Sequence, residues 1–295
     1  MPNVPNVPNV LTAATPLTQD RFQHAEGPVW DVAESRLLFV DMLEGNLVII
    51  DGIAHRRPPR TTILHVDDVL AFIRPRRDGG WIAGSASSIL ILNEEFAVVD
   101  RREILHDRRT RFNEGGCDAH GILYAGTMAE DATPGLGALY RFDQYLKPEI
   151  ILSNVTVSNG FVPRPYGVGN YYVDSATRRI DILTVDGGRT TREPFVIFGA
   201  DDGNPDGLAV DTDGGVWAAL WGSGRVQRYD PSGSLTHVVA LPTSQVSSCA
   251  FGGLDRSTLF ITTSQVESTE GDSLAGAVFS IDTDFRGFEL ASSVL

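Results

Sequence analysis

An all-β fold of about six similar four-stranded units is predicted by three observations on this 295-residue chain. A segment pattern recurs with a period of roughly 40 to 47 residues, the range of a propeller blade rather than of a helical repeat. The apolar runs inside it are short, rich in Val, Ile, Leu and aromatic residues, and separated by turn signals such as Asp78-Gly-Gly, Asp213-Gly-Gly and Asp230-Pro-Ser-Gly. Four segments open on a polar residue followed directly or two places later by glycine: Glu26, Asn113, Asn159 and Asp206. No window sustains a helical apolar period with caps at both ends. The expected architecture is a six-bladed β-propeller of four-stranded antiparallel blades around a central metal-containing channel.

The units can be read off in order. The first runs through Glu26-Gly-Pro-Val-Trp-Asp, Leu37-Leu-Phe-Val-Asp and Asn46-Leu-Val-Ile-Ile-Asp. A looser second copy has Leu70-Ala-Phe-Ile, Trp81-Ile-Ala-Gly and Ile89-Leu-Ile-Leu. The third has Phe112-Asn-Glu-Gly, Ile122-Leu-Tyr-Ala-Gly-Thr and Ala138-Leu-Tyr-Arg-Phe-Asp, and the fourth Ser158-Asn-Gly-Phe-Val, Tyr171-Tyr-Val-Asp and Arg179-Ile-Asp-Ile-Leu. The fifth has Pro205-Asp-Gly-Leu-Ala-Val-Asp, Gly215-Val-Trp-Ala-Ala-Leu and Arg225-Val-Gln-Arg-Tyr-Asp. The sixth, again looser, has Ser248-Cys-Ala-Phe-Gly-Gly, Thr258-Leu-Phe-Ile-Thr-Thr and Ala277-Val-Phe-Ser-Ile-Asp. A ring of this kind is often completed by a strand from the other terminus, for which the stretch between Leu11 and Phe22 is the candidate. Residues 1–10, a Pro-Asn-Val triple repeat, read as a disordered lead-in without the features of a secretory signal. Residues 11–295 read as one domain, since all-β rings reach this length and no Pro/Ser-rich linker divides the chain. The connection from Ala54 to Val69, with Pro58-Pro59, reads as a lid over the channel.

Composition narrows the partners. A formal net charge of -14 opposes a phosphate backbone, so nucleic acid is not expected. No segment approaches the roughly 18 apolar residues of a membrane span. The two cysteines, Cys117 and Cys249, lack metal or redox spacing and read as buried reduced thiols, which points to a cytoplasmic setting. A small-molecule substrate is the expected partner. No Gly-x-Ser-x-Gly elbow, phosphate loop, Rossmann glycine string or His-Glu-x-x-His motif is present.

If the segments are repeats, the four polar residues occupy equivalent places around a ring and converge on one metal ion. Asn159-Gly and Asp206-Gly would each be a turn in isolation, but the repeat puts them where Glu26 stands, ahead of an apolar strand. The strings Glu26-Gly-Pro-Val-Trp, Arg111-Phe-Asn113, Ala125-Gly-Thr-Met-Ala, Val157-Ser-Asn159-Gly, Pro205-Asp206-Gly-Leu and Ser248-Cys-Ala-Phe-Gly-Gly together resemble the senescence marker protein/gluconolactonase/luciferin-regenerating enzyme family. The resemblance runs unbroken from about Glu26 to about Asp282. It implies a six-bladed propeller with one divalent cation in a central pocket and hydrolysis of sugar lactones. It also implies Glu26, Asn159 and Asp206 as ligands, Asn113 as a fourth ligand or substrate contact, and Arg111 as a substrate contact. One departure is Glu114-Gly, where the family more often has Asp-Gly.

Two carboxylates with one or two amide oxygens form a hard shell that suits calcium first, with magnesium, manganese or zinc as other choices. Burying Glu26 and Asp206 together without a cation costs several kcal/mol per ion. Such a cation polarises a lactone carbonyl and a water, with Glu26 and Asp206 as the catalytic pair and Asp206 orienting or deprotonating the water. Residues two apart on a strand share a face, so Arg111 accompanies Asn113 and His24 accompanies Glu26 in the pocket wall. His24 replaces the small residue the resemblance implies, and reads as a structural histidine, an added base or a pocket-shaping group. The resemblance also places Glu130-Asp131 near the pocket mouth, with Asp131 a candidate substrate contact. The expected function is a metal-dependent lactonase. The same metal site could instead serve phosphotriester hydrolysis or a ring-opening, cyclising or isomerising step, and a non-enzymatic binding propeller ranks last.

Overall fold

The computed structural model describes residues 8–53 and 58–295. Two short strands, β1 (Asn9–Leu11) and β2 (Thr15–Pro16), precede the ring. Blade I comprises β3 (Ala25–Asp31), β4 (Arg36–Asp41), β5 (Asn46–Asp51) and β6 (Arg60–His65). Blade II comprises β7 (Leu70–Pro75), β8 (Trp81–Ser85), β9 (Ser88–Leu92) and β10 (Val98–Glu103). Blade III comprises β11 (Thr110–Cys117), β12 (Leu123–Ala129), β13 (Gly137–Phe142) and β14 (Pro148–Val155). Blade IV comprises β15 (Ser158–Pro163), β16 (Asn170–Asp174), β17 (Arg179–Asp186) and β18 (Arg189–Ile197). Blade V comprises β19 (Asn204–Val210), β20 (Val216–Trp221), β21 (Arg225–Tyr229) and β22 (Leu235–Ala240). Blade VI comprises β23 (Val246–Gly252), β24 (Thr258–Thr263) and β25 (Phe279–Asp282).

Each blade is an antiparallel meander in sequence order, and the six-bladed propeller expected from the repeat is present. Blade VI is completed by β2, with Thr15 opposite Ser280 and Pro16 opposite Phe279, inside the window expected to close the ring. This pairing ties the first residues of the ring to the last, so the sheet edge that closure would leave is covered. β1 adds a fifth strand, parallel, to the outer edge of β22. Of the expected lead-in, residues 1–7 lie outside the described residues, and Asn9 and Val10 belong to β1.

The connection expected to act as a lid is in large part a strand. Arg60–His65 pairs along β5 from Asp51 to Asn46 and forms the outer edge of blade I; residues 54–57 lie outside the described residues. The run Arg60-Thr-Thr-Ile-Leu-His carries its apolar residues on an outer, exposed strand, which gave it no core-strand signature. Both cysteines are free and buried, and burial pushes the Cys117 thiol up to about 12. Among the described residues no helix is long and apolar enough to cross a membrane.

Burial rises toward the axis. β10 is exposed along its whole length, whereas β15 is buried along its whole length. The innermost strands approach one another closely enough that glycine is required. A Cβ on Gly160 would lie 2.4 Å from Leu208 Cγ and 2.6 Å from the Asp206 carbonyl oxygen. A Cβ on Gly207 would lie 2.0 Å from Ser248 Oγ. The glycines after Asn159 and Asp206 are therefore seats for the next blade's inner strand, not turn residues.

Replacing Gly160 by Ala forces a methyl group against backbone that cannot swing aside. Gly160→Ala is expected to lower unfolding stability by about 1–3 kcal/mol, read from the urea midpoint at unchanged m-value. A midpoint equal to the wild type would refute close strand packing as the reason for this glycine.

Candidate active site

The innermost strands share one irregularity that shapes the site. Each of β3, β7, β11, β15, β19 and β23 loses register with its neighbour at the same place, between Glu26 and Val29, Leu70 and Phe72, Phe112 and Glu114, Ser158 and Phe161, Pro205 and Leu208, and Val246 and Ser248. A bulge adds local twist and re-aims the side chains beside it. Glu26, Asn113, Asn159 and Asp206 stand at these bulges on blades I, III, IV and V; blades II and VI offer Ala71 and Ser247. All four predicted residues are buried.

A hydrogen bond links two of the four directly. Asn113 Nδ2 donates to Asn159 Oδ1 at 3.0 Å and to the Ser158 carbonyl at 3.0 Å. Asn113 Oδ1 accepts from an Arg111 guanidinium nitrogen at 2.8 Å. Asn159 Nδ2 donates to Ser175 Oγ at 2.8 Å, and that hydroxyl donates to the Pro205 carbonyl at 2.7 Å, beside Asp206. Asn113 thus holds the Asn159 oxygen in place while its own oxygen faces Arg111. Asp206 Oδ1 is buried with no hydrogen-bond partner among the described residues.

Alternation along β11 breaks at its bulge, so Asn113 and Glu114 are both buried and both reach the channel. Glu114 was read from the sequence only as a departure beside Asn113, and its place here was missed. Its Oε1 accepts from Arg74 at 2.9 Å and from the Gly115 N–H at 2.7 Å. Arg74, also missed, sits behind the site with a second nitrogen bonded to the Ile73 carbonyl. The signal for both was weak: a Glu after Asn, and an Arg at the end of an apolar strand.

Three carboxylates therefore share one buried channel. Burial, then the charge of Glu114, pushes Glu26 up to about 8, against the Gly27 N–H, Arg74 and Arg111. Burial, then Glu26 and Glu114, raises Asp206 well above the usual carboxylate range. Burial raises Glu114 too, with Arg74 opposing. Arg74 answers one charge and Arg111 is shared with Glu130, 3.5 Å from its Nε. Two negative charges and an unpartnered oxygen fit a divalent cation, with Glu26, Asp206 and Asn159 as the donors and Asn113 behind Asn159. Among the described residues no group of three or more His, Cys, Asp and Glu side chains is arranged to hold a metal, so the amide oxygen is needed to complete the set.

The wall on one side of the channel comes largely from the connections between second and third strands. These supply Met42 in blade I, Glu130 in III, Ser175 in IV and Ser264 in VI, and the end of β20 supplies Trp221 in V. Arg111 reaches Met42 Sδ at 3.4 Å as well as Glu130. His24 packs edge-on to Trp221 with ring centroids 5.7 Å apart, and its Nδ1 lies 2.8 Å from Ser264 Oγ. Burial, then Arg111, lowers the His24 pKa to about 4, so it is neutral at pH 7. Asp131 turns into its own loop, where Oδ1 accepts from the Thr133 N–H and hydroxyl, and it is Glu130 that meets Arg111. At the other end of the inner strands a cavity of about 340 Å³ is lined by Glu114 and Arg74 with Trp30, Phe161, Leu208 and Phe251. None of the four predicted ligands lines it.

The chain is similar to known proteins in sequence and in fold. The family described as SMP-30/Gluconolactonase/LRE-like region matches residues 24–265. Regucalcin of Bos taurus is 31% identical over 252 residues, covering 80% of this chain and 82% of that protein. YvrE of Bacillus subtilis, provisionally named a sugar lactone lactonase, is 30% identical over 274 residues, covering 90% of this chain and 92% of that protein. A solved structure of a calcium-binding regucalcin from Agrobacterium tumefaciens has the same fold, with a TM-score of 0.87 at 23% identity over 98% of this chain and 100% of that one.

The charge arrangement sets a pH dependence. In cation-free protein Glu26 keeps its proton up to about 8, while an unfolded Glu releases it near 4.5. The folded state then binds more protons between those values, so stability falls as pH rises through that window. His24 works in the opposite sense at lower pH: its folded value of about 4 against 6.5 removes stability as pH falls from 6.5 toward 4. Chelator-treated protein is expected to melt at progressively lower temperature from about pH 6.5 to about pH 8. Added divalent cation should abolish that decline and release protons, measurable with an indicator dye in weakly buffered solution. A melting temperature that rises over this range, or cation binding without proton release, contradicts the assignment.

Proposed function

The chain belongs to the SMP-30/gluconolactonase/LRE-like family, and from that premise we propose that it is a divalent-metal-dependent hydrolase that opens a small lactone. The observation that carries this reading is the burial of Glu26 and Asp206 in one channel with an Asp206 oxygen left unpartnered. When bound, the cation supplies Lewis acidity toward a lactone carbonyl and toward a water. Glu26, Asp206 and Asn159 hold it, and the hard oxygen donors accept calcium, magnesium, manganese or zinc.

The remaining work falls to the chain. With one Asp206 oxygen on the cation, the other carboxylate oxygen would accept the proton of the attacking water. Asn113 and Ser175 keep the Asn159 amide from rotating. Arg111, held against Met42 and Glu130, offers its guanidinium to hydroxyl or carboxylate oxygens of the substrate. His24 and Trp221 form an aromatic wall that shields the site from bulk water. The free buried thiols Cys117 and Cys249 support a cytoplasmic setting.

Asp206→Asn keeps the shape of the side chain and removes its charge. It is expected to lower divalent-cation content, read by elemental analysis, and to cut lactone hydrolysis by about 10²-fold or more across a panel of sugar and simple lactones. An Asp206→Asn protein with wild-type turnover would sink the mechanism. Tight cation uptake by the wild type with no lactone turned over would instead leave a cation-binding propeller.

A further inference from the structure

The C-terminal segment crosses the ring over the cavity at the far end of the inner strands. On one side the Gly287 N–H donates to the Arg256 carbonyl at 2.8 Å and the Phe288 N–H to the Val210 carbonyl at 2.9 Å. On the other the Ser293 N–H donates to the Pro75 carbonyl at 2.8 Å and the Val294 N–H to the Gly121 carbonyl at 2.9 Å. Between these anchors, residues 289–292 make no backbone hydrogen bond to a blade among the described residues. They carry one surface ion pair, Glu289 with Arg256 at 2.9 Å, and an exposed pair of this kind holds little. This span can lift without opening a blade.

The cavity of about 340 Å³ beneath it has aromatic walls from Trp30, Trp81, Phe161, Phe251 and Phe288. Trp30 stacks on Phe260 with ring centroids 5.6 Å apart, and Phe161 on Tyr124 at 4.5 Å, so these walls are fixed before anything binds. An apolar cavity of roughly 150 Å³ accommodates benzene, and this one has room for a larger, substituted ring. Two polar groups in the wall lack partners. Arg74 donates to Glu114 and to the Ile73 and Gly27 carbonyls, and its remaining N–H groups, the Nε–H among them, have no protein acceptor among the described residues. Ser248 is 3% exposed, and its hydroxyl bonds to nothing among the described residues. The charges in the wall are already matched, Arg74 with Glu114, Asp31 with Arg36, and Arg256 with Glu289. An anion would therefore be buried here without a counter-charge, whereas an uncharged oxygen acceptor meets no such cost.

We propose that this cavity is a second ligand site, which takes a small uncharged carbonyl compound with an aromatic body. The carbonyl oxygen accepts from Arg74, and the ring lies among Trp30, Phe161 and Phe251. Occupancy of this site does not depend on a cation in the channel.

The test uses the full chain, with para-bromoacetophenone as the probe and para-bromobenzoate as its anionic counterpart. Titration calorimetry is expected to show the ketone bound about 10-fold more tightly than the carboxylate. Ketone binding is expected to weaken about 3- to 10-fold in Arg74→Lys, which keeps a cation beside Glu114 but loses the Nε–H. Anomalous diffraction from ketone-soaked crystals is expected to place bromine inside the cavity; this needs no variant and is unaffected if Arg74→Lys folds poorly. Carboxylate bound as tightly as ketone, ketone affinity unchanged in a folded Arg74→Lys, bromine found only outside the cavity, or no ketone binding at all each overturns the proposal.

Discussion

Three carboxylates buried in one channel are the constraint on which the rest of this molecule depends. Glu26, Glu114 and Asp206 each lose their hydration on folding; Glu114 raises the proton affinity of Glu26 and Asp206, and Glu26 that of Asp206. The chain answers one of those charges from below, with Arg74, and spends Arg111 partly on Glu130. What remains is a deficit of positive charge at Glu26 and Asp206, so the fold is built to hold an acidic centre that it does not neutralise by itself. In a core of hydrocarbon such a centre would be expelled or protonated. Here it is surrounded by six inner strands whose own hydrogen bonds are satisfied within the blades.

Bringing side chains from separate blades to one axis demands more than a ring of sheets. A regular strand sends alternate residues to opposite faces, with the axis approached edge-on. The bulge repeated at the same place in every inner strand breaks that alternation where a residue must turn inward. After Asn159 and Asp206, Gly160 and Gly207 give the neighbouring inner strand room to pass. These two dipeptides thus meet two demands: the first residue turns a polar side chain inward, and the second removes the side chain that would hold the next blade away.

That pairing explains which parts of the molecule were legible in the sequence. The blade count, strand order and closing segment follow from the spacing of apolar runs, a property written along the chain. Glu26, Asn113, Asn159 and Asp206 were found because the repeat puts them in equivalent places. Glu114 was not, because strict alternation sends it away from Asn113, and the bulge that turns both inward is a feature of pairing with β12, invisible in a single strand. Asp131 and Glu130 are adjacent in sequence, and only the loop's hydrogen bonds to Thr133 decide which faces Arg111. The stretch after Ala54 looked like a loop because its strand lies at the exposed edge of blade I, where no buried apolar face marks it.

The buried polar residues of the site and the surfaces around them are carried by different parts of the fold. Glu26, Asn159 and Asp206 lie on inner strands, locked by strand pairing and by neighbouring backbone. Met42, Glu130, Ser175, Trp221 and Ser264 lie in or beside the connections between second and third strands, where the chain is free to vary without disturbing the ring. The surface above the carboxylates can therefore change by substitution while Glu26 and Asp206 stay fixed. His24 is the exception. It precedes β3, next to a donor strand, yet is held by Ser264 and Trp221 from the mouth. A change at this one position alters the mouth and the surroundings of Glu26 together, which makes it the residue through which the chemistry of the channel and the shape of its opening are coupled.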